Sequence, residues 1–558
     1  MTTYETKPPA EKTMAPGGKE PPDAPSPDSN TRAQPAAITL AEAIRREHEL
    51  TFRDAIQLYP AAIGWSAFVS IGVIMLAFDP QILGGFFATP RFEQDFGYFF
   101  QPDDEYIISA SWQSGLCLGN PIGQVFGALF ASYPMDRFGR KRTFGACVAL
   151  TGCLVFIQFF SRALTTLLVG ELLGGLVLGC YVVIAPAYAS EVCPMALRGH
   201  LTSYANLCFV IGQLLGSGVT AATENLDSRW SYSISFALQW FWVVVVLPGM
   251  FFVPESPWWL VRQGRLAEAE AVLLRLASSK QLSPSSASGH GTGAKVDIAA
   301  TLAAITETDG LEQELQAGST YLDCFRGVNL RRTEIATGVY CTQVLSGIYM
   351  INFITVFFTH GGLSTSTAFD MSIGFLATGF VGTIVSWFLI LHWGRRTLTL
   401  AGLVGLTVLM LLVAILDCVP RPSDGGDRLD WAEAGLLLVW NFVYDLSIGP
   451  VCFVIISECS ATRVRSKSIA VCTAAQGILG IIMTVAIPYL INPDQANARG
   501  KVGFFFGGLS LFCFVWTYFR VPETAGRTYE ELDLLFDRRV PARQFKGYQL
   551  GAAIEGEK

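Results

Sequence analysis

Charged side chains are scarce in this sequence. Only 15% of its 558 residues are Asp, Glu, Lys or Arg, whereas a soluble globular domain carries about a quarter. The charges gather in the two tails and in short connectors, and the blocks between them are apolar over the ~20 residues that a membrane-spanning helix needs. Because backbone polar groups cannot stay unpaired in lipid, each block is expected to be helical. The composition therefore predicts a polytopic membrane protein.

Motifs for catalysis, nucleotide binding and metal binding are missing. The absence of G-x-S-x-G, P-loop and dinucleotide fingerprints disfavours an enzyme or an ATP-driven pump. A net charge of -7 without a basic stripe argues against a nucleic-acid partner. The 13 cysteines have no CxxC spacing, and most, such as Cys117 and Cys452, fall inside apolar blocks, where cysteine is a small hydrophobic residue. We therefore expect no cofactor and no metal.

The apolar blocks form two sets of six, separated by one long charged connector. The predicted spans are 61–87, 106–132, 143–160, 165–189, 202–222, 234–253, 334–358, 369–391, 397–417, 432–456, 468–491 and 502–521. The predicted fold is an all-α membrane protein with twelve transmembrane helices in two pseudo-symmetric six-helix halves.

Five regions follow from this division. They are a tail (1–59), the first half (60–253), a linker (254–333), the second half (334–521) and a second tail (522–558). The first tail is rich in proline and is expected to be disordered, except for an amphipathic helix at 38–58 just before the first span.

Lysine and arginine are unevenly distributed between the two sets of connectors. The basic set holds Arg137, Arg140, Lys141, Arg142, Arg198, Arg262, Arg265, Arg395, Arg396, Arg463, Arg465 and Lys467. The opposite set is richer in acids, such as Asp103, Asp104, Glu105, Asp424, Asp427 and Asp430. The excess of cations predicts that the basic set is cytoplasmic, and an even number of spans puts both termini on the same side.

Three motifs of the first half have counterparts in the second. DRFGRKR at 136–142 is echoed by HWGRR at 392–396, EVCPMALRG at 191–199 by ECSATRVRS at 458–466, and PESPWWLVRQGR at 254–265 by PETAGRTYEELD at 522–533. The order is the same and the offset is nearly constant, which indicates a duplicated six-helix unit. Parallel repeats with a binding site at their interface are the architecture of many secondary transporters.

These motifs, together with PAYASEVCPMALRG at 186–199, resemble the sugar-porter branch of the major facilitator superfamily over about residues 60–540. VGELLGG around Glu171 and IGPVCFVIISE at 448–458 are similar to the fungal maltose and α-glucoside permeases. The resemblance implies a monomer in the plasma membrane that moves a sugar or sugar-like solute by alternating access. It also implies that protons are the coupling ions, as in disaccharide import.

Two acids inside the spans are candidates for proton coupling. A charge at the bilayer centre costs at least ~2.5–3.5 kcal/mol, so such residues are expected to face a cavity. Asp79 matches the first-helix aspartate that the family uses for proton binding, and Pro80 is expected to break the helix after it. At the position of Glu171, the α-glucoside permeases resemble this chain in having a glutamate. The alternatives are a structural role for Asp79 beside the proline and a solvated position for Glu171 near the outer mouth.

Eight residues are candidates for substrate binding, because amides both donate to and accept from sugar hydroxyls and aromatic rings cover the ring face. The resemblance points to Gln213, Gln343, Gly449, Phe453 and Gln476, and the same spans add Tyr349, Asn352 and Asp445. Asp445 has a neutral counterpart in the family, and it is either a private substrate or proton contact or the partner of a helix hydroxyl. A lone glutamine in a span often serves only as a helix–helix hydrogen bond.

The chain departs from the family at several of these positions. Val344 replaces a second glutamine, Tyr349 replaces a common asparagine, Leu76 replaces a second first-helix acid, and Thr473 replaces an arginine. With fewer polar contacts and coupling groups, a smaller or less hydroxylated solute is expected, and the direction of transport stays open.

Acid–base pairs at equivalent points of both halves predict a charge network that holds the halves together on the cytoplasmic side. Its candidate members are Asp136, Arg137, Arg140, Glu191, Arg198, Glu255, Arg395, Arg396, Glu458, Arg465 and Glu523. The alternative is that these residues only anchor the topology.

The sequence leaves three functions open. The first is a proton-coupled sugar importer, and the second is an exporter of a sugar-derived secondary metabolite on the same fold. The third is a nutrient sensor that does not transport, which is disfavoured because sensors of this fold generally signal through a long cytoplasmic tail.

Overall fold

The computed structural model describes residues 52–101, 105–277, 298–316, 320–419, 427–461, 464–525, 527 and 529–548. The predicted disordered tail, most of the predicted amphipathic helix and the acids Asp103, Asp104 and Asp424 lie outside these residues. Only the end of that helix is described, as α1 (Phe52–Leu58).

The first half contains six helical spans. They comprise α2 (Pro60–Val69) with α3 (Ile71–Phe86), α5 (Ala110–Phe138), α6 (Arg140–Phe159), α7 (Leu164–Val192), α8 (Met195–Thr223) and α9 (Trp230–Gly249). Between the first two spans lie α4 (Pro90–Phe96) and a two-stranded antiparallel hairpin of β1 (Tyr98–Phe100) and β2 (Glu105–Ile107). The hairpin was not predicted, and it displaces the start of the second span to Ala110.

The connector between the halves contains α10 (Pro257–Arg262), α11 (Leu266–Leu276), α12 (Ile298–Gln316) and a 3-10 turn at Tyr321–Phe325. Trp259, Leu273 and Ile305 form a small separate core among these helices. An ion pair of 2.6 Å between Arg262 Nε and Asp309 Oδ1 joins α10 to α12.

The second half repeats the six spans. They comprise α13 (Gly327–Leu345) with a 3-10 segment (Ile348–Phe353) and α14 (Ile354–His360), then α15 (Thr365–His392), α16 (Arg395–Asp417), α17 (Asp427–Leu446) with α18 (Ile448–Cys459), α19 (Arg465–Ile491) and α20 (Val502–Arg520). After them come α21 (Tyr529–Asp537) and a 3-10 turn at Ala542–Gln544. The first span of this half begins at Gly327, earlier than predicted.

Eleven spans in the described part of the chain are long and apolar enough to cross a membrane. The twelfth, α5, is 29 residues long but carries Gln113, Asn120 and Gln124 and several glycines. Large apolar side chains elsewhere point outward, for example Phe241 (56% exposed), Phe388 (64%) and Phe512 (64%). Exposed apolar surface of this extent indicates contact with lipid.

Glycine allows α5 and α7 to pack backbone against backbone. A Cβ atom on Gly123 would lie 2.3 Å from Leu172 O, and one on Gly127 would lie 1.9 Å from Leu176 O. On the facing helix, a Cβ on Gly175 would lie 2.2 Å from Asn120 O. Small residues at four-residue spacing give membrane helices this close approach. We call this contact between the glycines of α5 and α7 the glycine seam. It sets the distance between the polar side chains of the two helices.

The two halves meet at the end of the bundle opposite the basic connectors. We call these two ends the opposite end and the basic end. At the opposite end Tyr98 donates to Asp494 Oδ2 (3.1 Å), and Asn492 Nδ2 donates to Ile108 O (3.3 Å). The rings of Phe87 and Phe353 stack 6.3 Å apart across the same interface. The opposite end is therefore closed in this structure.

The glycine seam predicts the effect of Gly127→Ala. The added methyl group would collide with backbone rather than with a movable side chain, and overpacking of this kind costs about 1–3 kcal/mol. We expect a lower thermal unfolding temperature for the purified protein in detergent. Gly115→Ala on the same helix is the matched control, because a Cβ there meets nothing within 4 Å. Equal melting temperatures for the two variants would contradict the seam.

Candidate functional site

The carboxyl groups of Asp79 and Glu171 lie together in the interior of the first half. Asp79 is 1% exposed and Glu171 is fully buried, which excludes the alternative that Glu171 is solvated. The two carboxyl groups interact directly, and Glu171 Oε2 has no hydrogen-bond partner among the described residues. Because an ionised carboxylate can only accept a hydrogen bond, the two groups can bond to each other only when one of them carries a proton.

Three amide side chains from three helices surround Asp79. Asn120 Nδ2 donates to Oδ2 (2.5 Å), and Gln239 Nε2 and Gln158 Nε2 donate to Oδ1 (2.7 and 3.2 Å). Gln158 Nε2 also donates to Glu171 Oε1 (2.9 Å). Two adjacent carboxylates cannot both be ionised in a buried site, and amide donors stabilise one negative charge there. The arrangement is suited to hold one proton.

These three amides were missed by the sequence reasoning. Asn120, Gln158 and Gln239 each stand in an apolar block, in LGNPIG, FIQFF and FALQWF. Polar residues inside spans are costly and point to function, so this signal was available. What the sequence did not reveal was that all three converge on one aspartate.

The expected helix break at Pro80 is wrong. Helix α3 continues through Pro80, and the first span is interrupted instead at Ser70, between α2 and α3. Proline removes one backbone N–H bond and crowds the carbonyl group four residues earlier. The tight packing around α3 nevertheless holds the helix together, since nearly all of its residues are buried.

The predicted substrate residues of the second half form two groups. In the first, Gln343 Nε2 donates to Gly449 O (2.8 Å), which ties α13 to α18, and the ring of Phe453 makes an edge contact with Tyr340 at 5.7 Å. Phe453 is 41% exposed, so part of its ring is free. Gln343 forms the helix–helix hydrogen bond that a lone glutamine often makes.

The second group joins the 3-10 segment to α19. Tyr349 and Gln476 share a hydrogen bond between their side chains. The Tyr349 hydroxyl lies 2.1 Å from the position of a Cβ on Gly480, so this glycine makes room for it. The tyrosine that replaces the family asparagine is therefore accommodated by the facing helix.

Three further predicted substrate residues belong to neither group. Gln213 is half-buried on α8, next to Gly212, which packs against Ile74 O of α3. The backbone carbonyl of Asn352 contacts Gly84 across the two halves. Asp445 is 6% exposed, and its carboxyl group lies against Gly379 of α15 and near Gly449 of the Gln343 group.

The residues of the predicted charge network form two similar clusters, one in each half, rather than one network that joins the halves. In the first, Arg140 Nη2 pairs with Glu191 Oε1 (2.8 Å) and Nη1 lies 3.6 Å from Asp136. Glu255 Oε1 accepts the backbone N–H groups of Arg140 (2.9 Å) and Lys141 (3.1 Å). A Cβ on Gly139, which has φ +92°, would lie 2.4 Å from Glu255 Oε2.

The second cluster repeats this geometry. Arg395 Nη2 pairs with Glu458 Oε1 (3.1 Å), and the Glu523 carboxyl group lies against Gly394 as Glu255 lies against Gly139. The ion pairs Arg140–Glu191 and Arg395–Glu458 each stay within one half.

The other predicted cations are also placed within one half. Arg137 donates to the Tyr133 hydroxyl (3.0 Å) and Arg396 to Tyr518 O (2.8 Å). The side chains of Arg198 and Arg465 lie outside the described ones.

Comparison with known proteins identifies the family. A model of the sugar (and other) transporter family matches residues 65–536. The chain belongs to this family. It is 36% identical to the maltose permease MAL31 of Saccharomyces cerevisiae, over 90% of this chain and 80% of that one. It is 33% identical to the general alpha-glucoside permease of the same yeast, with the same coverage.

Solved structures show the same fold. The xylose transporter XylE from E. coli in an inward-open conformation matches with a TM-score of 0.65 and 20% identity, over 85% of this chain and 99% of that one. XylE bound to 6-bromo-6-deoxy-D-glucose, described as a proton:xylose symporter of the major facilitator superfamily, matches equally well. The predicted twelve-helix fold is confirmed, and this member of the sugar transporter family is not an enzyme.

The Glu255 carboxyl group predicts a pH effect on stability. Burial raises the pKa of Glu255 above its usual value, although backbone N–H groups and Arg140 oppose the shift. The folded state therefore holds this proton more tightly than the unfolded chain, and its stabilising effect is lost as pH rises through the raised pKa. We expect the unfolding temperature of the wild type to fall, relative to Glu255→Gln, as the pH rises above the ordinary pKa of glutamate.

The control for this measurement is Glu268→Gln, which removes an exposed carboxyl group that pairs with Arg265. Thermal unfolding of all three proteins would be followed at four pH values. If Glu255→Gln and Glu268→Gln give the same pH profile, the raised pKa of Glu255 is wrong.

Proposed function

We propose that this protein imports a sugar, an α-glucoside or a hexose, together with protons. The observation that carries the proposal is the buried Asp79–Glu171 pair, whose two carboxyl groups lie among three amide donors. The names of the yeast relatives supply the sugar class, and the XylE structures add a proton symporter with the same fold.

The proposed transport cycle rests on movement of the two halves against each other. Their contacts at the opposite end would open, and the charge clusters around Glu191 and Glu458 at the basic end would approach. The first, seventh and tenth spans are interrupted at Ser70, Gly347 and Ser447. Such interruptions in membrane helices accompany substrate and ion sites.

The proposed sugar site lies between the halves. Gln343, Gly449, Phe453, Tyr349, Gln476 and Asn352 would contribute from the second half, and Gln213 from the first. We further propose that the protein is a monomer in the plasma membrane with the basic end and both termini in the cytoplasm, because lysine and arginine concentrate at that end. The closed opposite end would then be the outer one.

Uptake of labelled maltose and glucose into hexose-transport-deficient yeast tests this function. We expect uptake by the wild type to be stronger at external pH 5 than at pH 7.5, because the proton gradient is larger. Asp79→Asn keeps the shape of the side chain but removes the proton-binding group, so the dependence on pH should disappear and uptake against a gradient should be lost.

Surface expression of both proteins would be measured in the same cells. If the wild type reaches the plasma membrane but takes up neither sugar, import of these sugars is wrong, and export of a sugar-derived metabolite becomes the leading function. If Asp79→Asn transports with the same pH dependence as the wild type, Asp79 has no part in coupling.

Gln343→Leu tests the sugar site. The variant loses an amide that would bond to sugar hydroxyls and also leaves Gly449 O without its donor, and a lost hydrogen bond to a buried group costs about 1–3 kcal/mol. We expect the KM for the transported sugar to rise about tenfold or more, with a smaller change in maximal rate. Gln263→Leu in the linker is the control, since Gln263 bonds only weakly to Asp136 O at 3.4 Å. An unchanged KM would remove Gln343 from the site.

A further inference from the structure

A second buried carboxyl group lies in the second half of the protein, away from the Asp79–Glu171 pair. Asp445 lies in the last turn of α17, just before α18 begins, and its side chain is 6% exposed. Its carboxyl group makes no hydrogen bond and no ion pair with the described residues. A buried ionised carboxylate without a partner is very costly, so such a group is expected to neutralise.

The facing helix is shaped to receive this carboxyl group. A Cβ on Gly379 of α15 would lie only 2.4 Å from Asp445 Oδ2, and one on Gly382 would lie 3.3 Å from Asp445 Cβ. Two glycines one turn apart thus leave a recess that the aspartate fills. The recess contains backbone and apolar groups, and it offers the carboxylate no cation.

Asn441 completes the recess with an unused acceptor. Its Nδ2 donates to Phe375 O (2.7 Å) and lies 2.5 Å from the position of a Cβ on Gly379, beside the Asp445 carboxyl group. The bond to Phe375 fixes the orientation of the amide, so Oδ1 is the atom left over, and this buried oxygen has no donor among the described residues. The asparagine atom beside the Asp445 carboxyl group is therefore Nδ2, which already donates to Phe375 O.

The titratable groups around Asp445 carry no positive charge. Its neighbour on α17 is Tyr444, and the other groups that act on this tyrosine are Tyr340, Tyr349 and Cys452, from α13, the 3-10 segment and α18. From α15, Gly379 and Gly382 face Asp445, and from α16 Gly402 packs against Ser447. None of these residues carries a positive charge that could compensate an ionised Asp445.

The same carboxyl group touches the hinge of the tenth span. Helix α17 ends at Leu446, and the chain turns at Ser447 (φ -121°, ψ -82°) before α18 begins. A Cβ on Gly449 would lie 3.3 Å from Asp445 Oδ1, and the carbonyl of this glycine accepts the bond from Gln343. A change in the charge of Asp445 would therefore act on the residue that links the hinge to the proposed sugar site.

We propose that Asp445 is a second proton-binding site of the transporter. It is loaded while its carboxyl group rests in the recess of α15, and it releases the proton when α17 moves away from Gly379. The role of this proton in transport rests on the proposed function, but the binding of a proton to Asp445 does not.

Infrared spectroscopy of the full-length protein in proteoliposomes tests the protonation of Asp445 without transport. The difference spectrum between the wild type and Asp445→Asn at neutral pH should show the loss of one protonated carboxylic acid band. A lost carboxylate band would mean that Asp445 is ionised in its recess and would overturn the proposal.

Gly379→Ala provides a second variant in which the carboxyl group itself is unchanged. The added methyl group would occupy the place of Asp445 Oδ2 and expel the carboxyl group, so the same acid band should shift or disappear. Gly374→Ala on the same helix is the matched control, because a Cβ there meets Leu438 at an ordinary 3.7 Å. An identical acid band in wild type, Gly379→Ala and Gly374→Ala would contradict the recess.

Sugar accumulation in the proteoliposomes tests coupling. Each coupled proton contributes a factor of about ten to the limiting accumulation ratio per unit of pH gradient. With a gradient of one unit, Asp445→Asn should accumulate maltose or glucose about tenfold less than the wild type, while exchange of labelled for unlabelled sugar continues. An unchanged ratio would show that Asp445 is a structural neutral acid and would overturn its part in coupling.

The two proposals fail in different ways. If the wild type transports neither sugar, the proposed function fails, and the infrared bands still decide whether Asp445 binds a proton. If the wild type accumulates sugar and Asp445→Asn keeps both the acid band and the accumulation ratio, only the second proton site is wrong.

Discussion

Polar groups inside a bilayer have no water to bond, and the interior of this protein depends on that constraint. The Asp79 carboxyl group is bonded by amides from α5, α6 and α9, and it contacts Glu171 of α7. One buried acid thus connects five of the helices of the first half. The interactions at the proposed proton site also fix how these helices are arranged around α3.

Close helix packing makes this arrangement possible. The glycines of α5 and α7 let the two backbones touch, and a Cβ on Gly119 would lie only 2.9 Å from Glu171 Cβ. Asn120, the next residue, is therefore brought within 2.5 Å of Asp79. Glycine has a similar part in the second half, where Gly379 leaves space for Asp445. In both places a missing side chain positions a carboxyl group.

The two halves have the same arrangement of charged groups at the basic end but differ in their interiors. The pairs Arg140–Glu191 and Arg395–Glu458 occupy equivalent positions, each beside a carboxyl group that lies against a glycine. The interior of the first half has two acids and three amide donors, whereas that of the second has Asp445 beside an asparagine. Duplication preserved the connectors, which determine how each half is held together, while the interiors diverged.

The sequence by itself determined the class of the protein, its twelve spans, its duplication and its family, because hydropathy and short connector motifs are local properties of the chain. It also singled out Asp79, Glu171 and Asp445, because an acid in an apolar block is visible without coordinates. Only the tertiary structure decided which polar groups meet. The convergence of Gln158 and Gln239 on Asp79 depends on helices that are distant in sequence, and so do the hairpin between the first two spans and the closed opposite end, because contacts of this kind are set by packing.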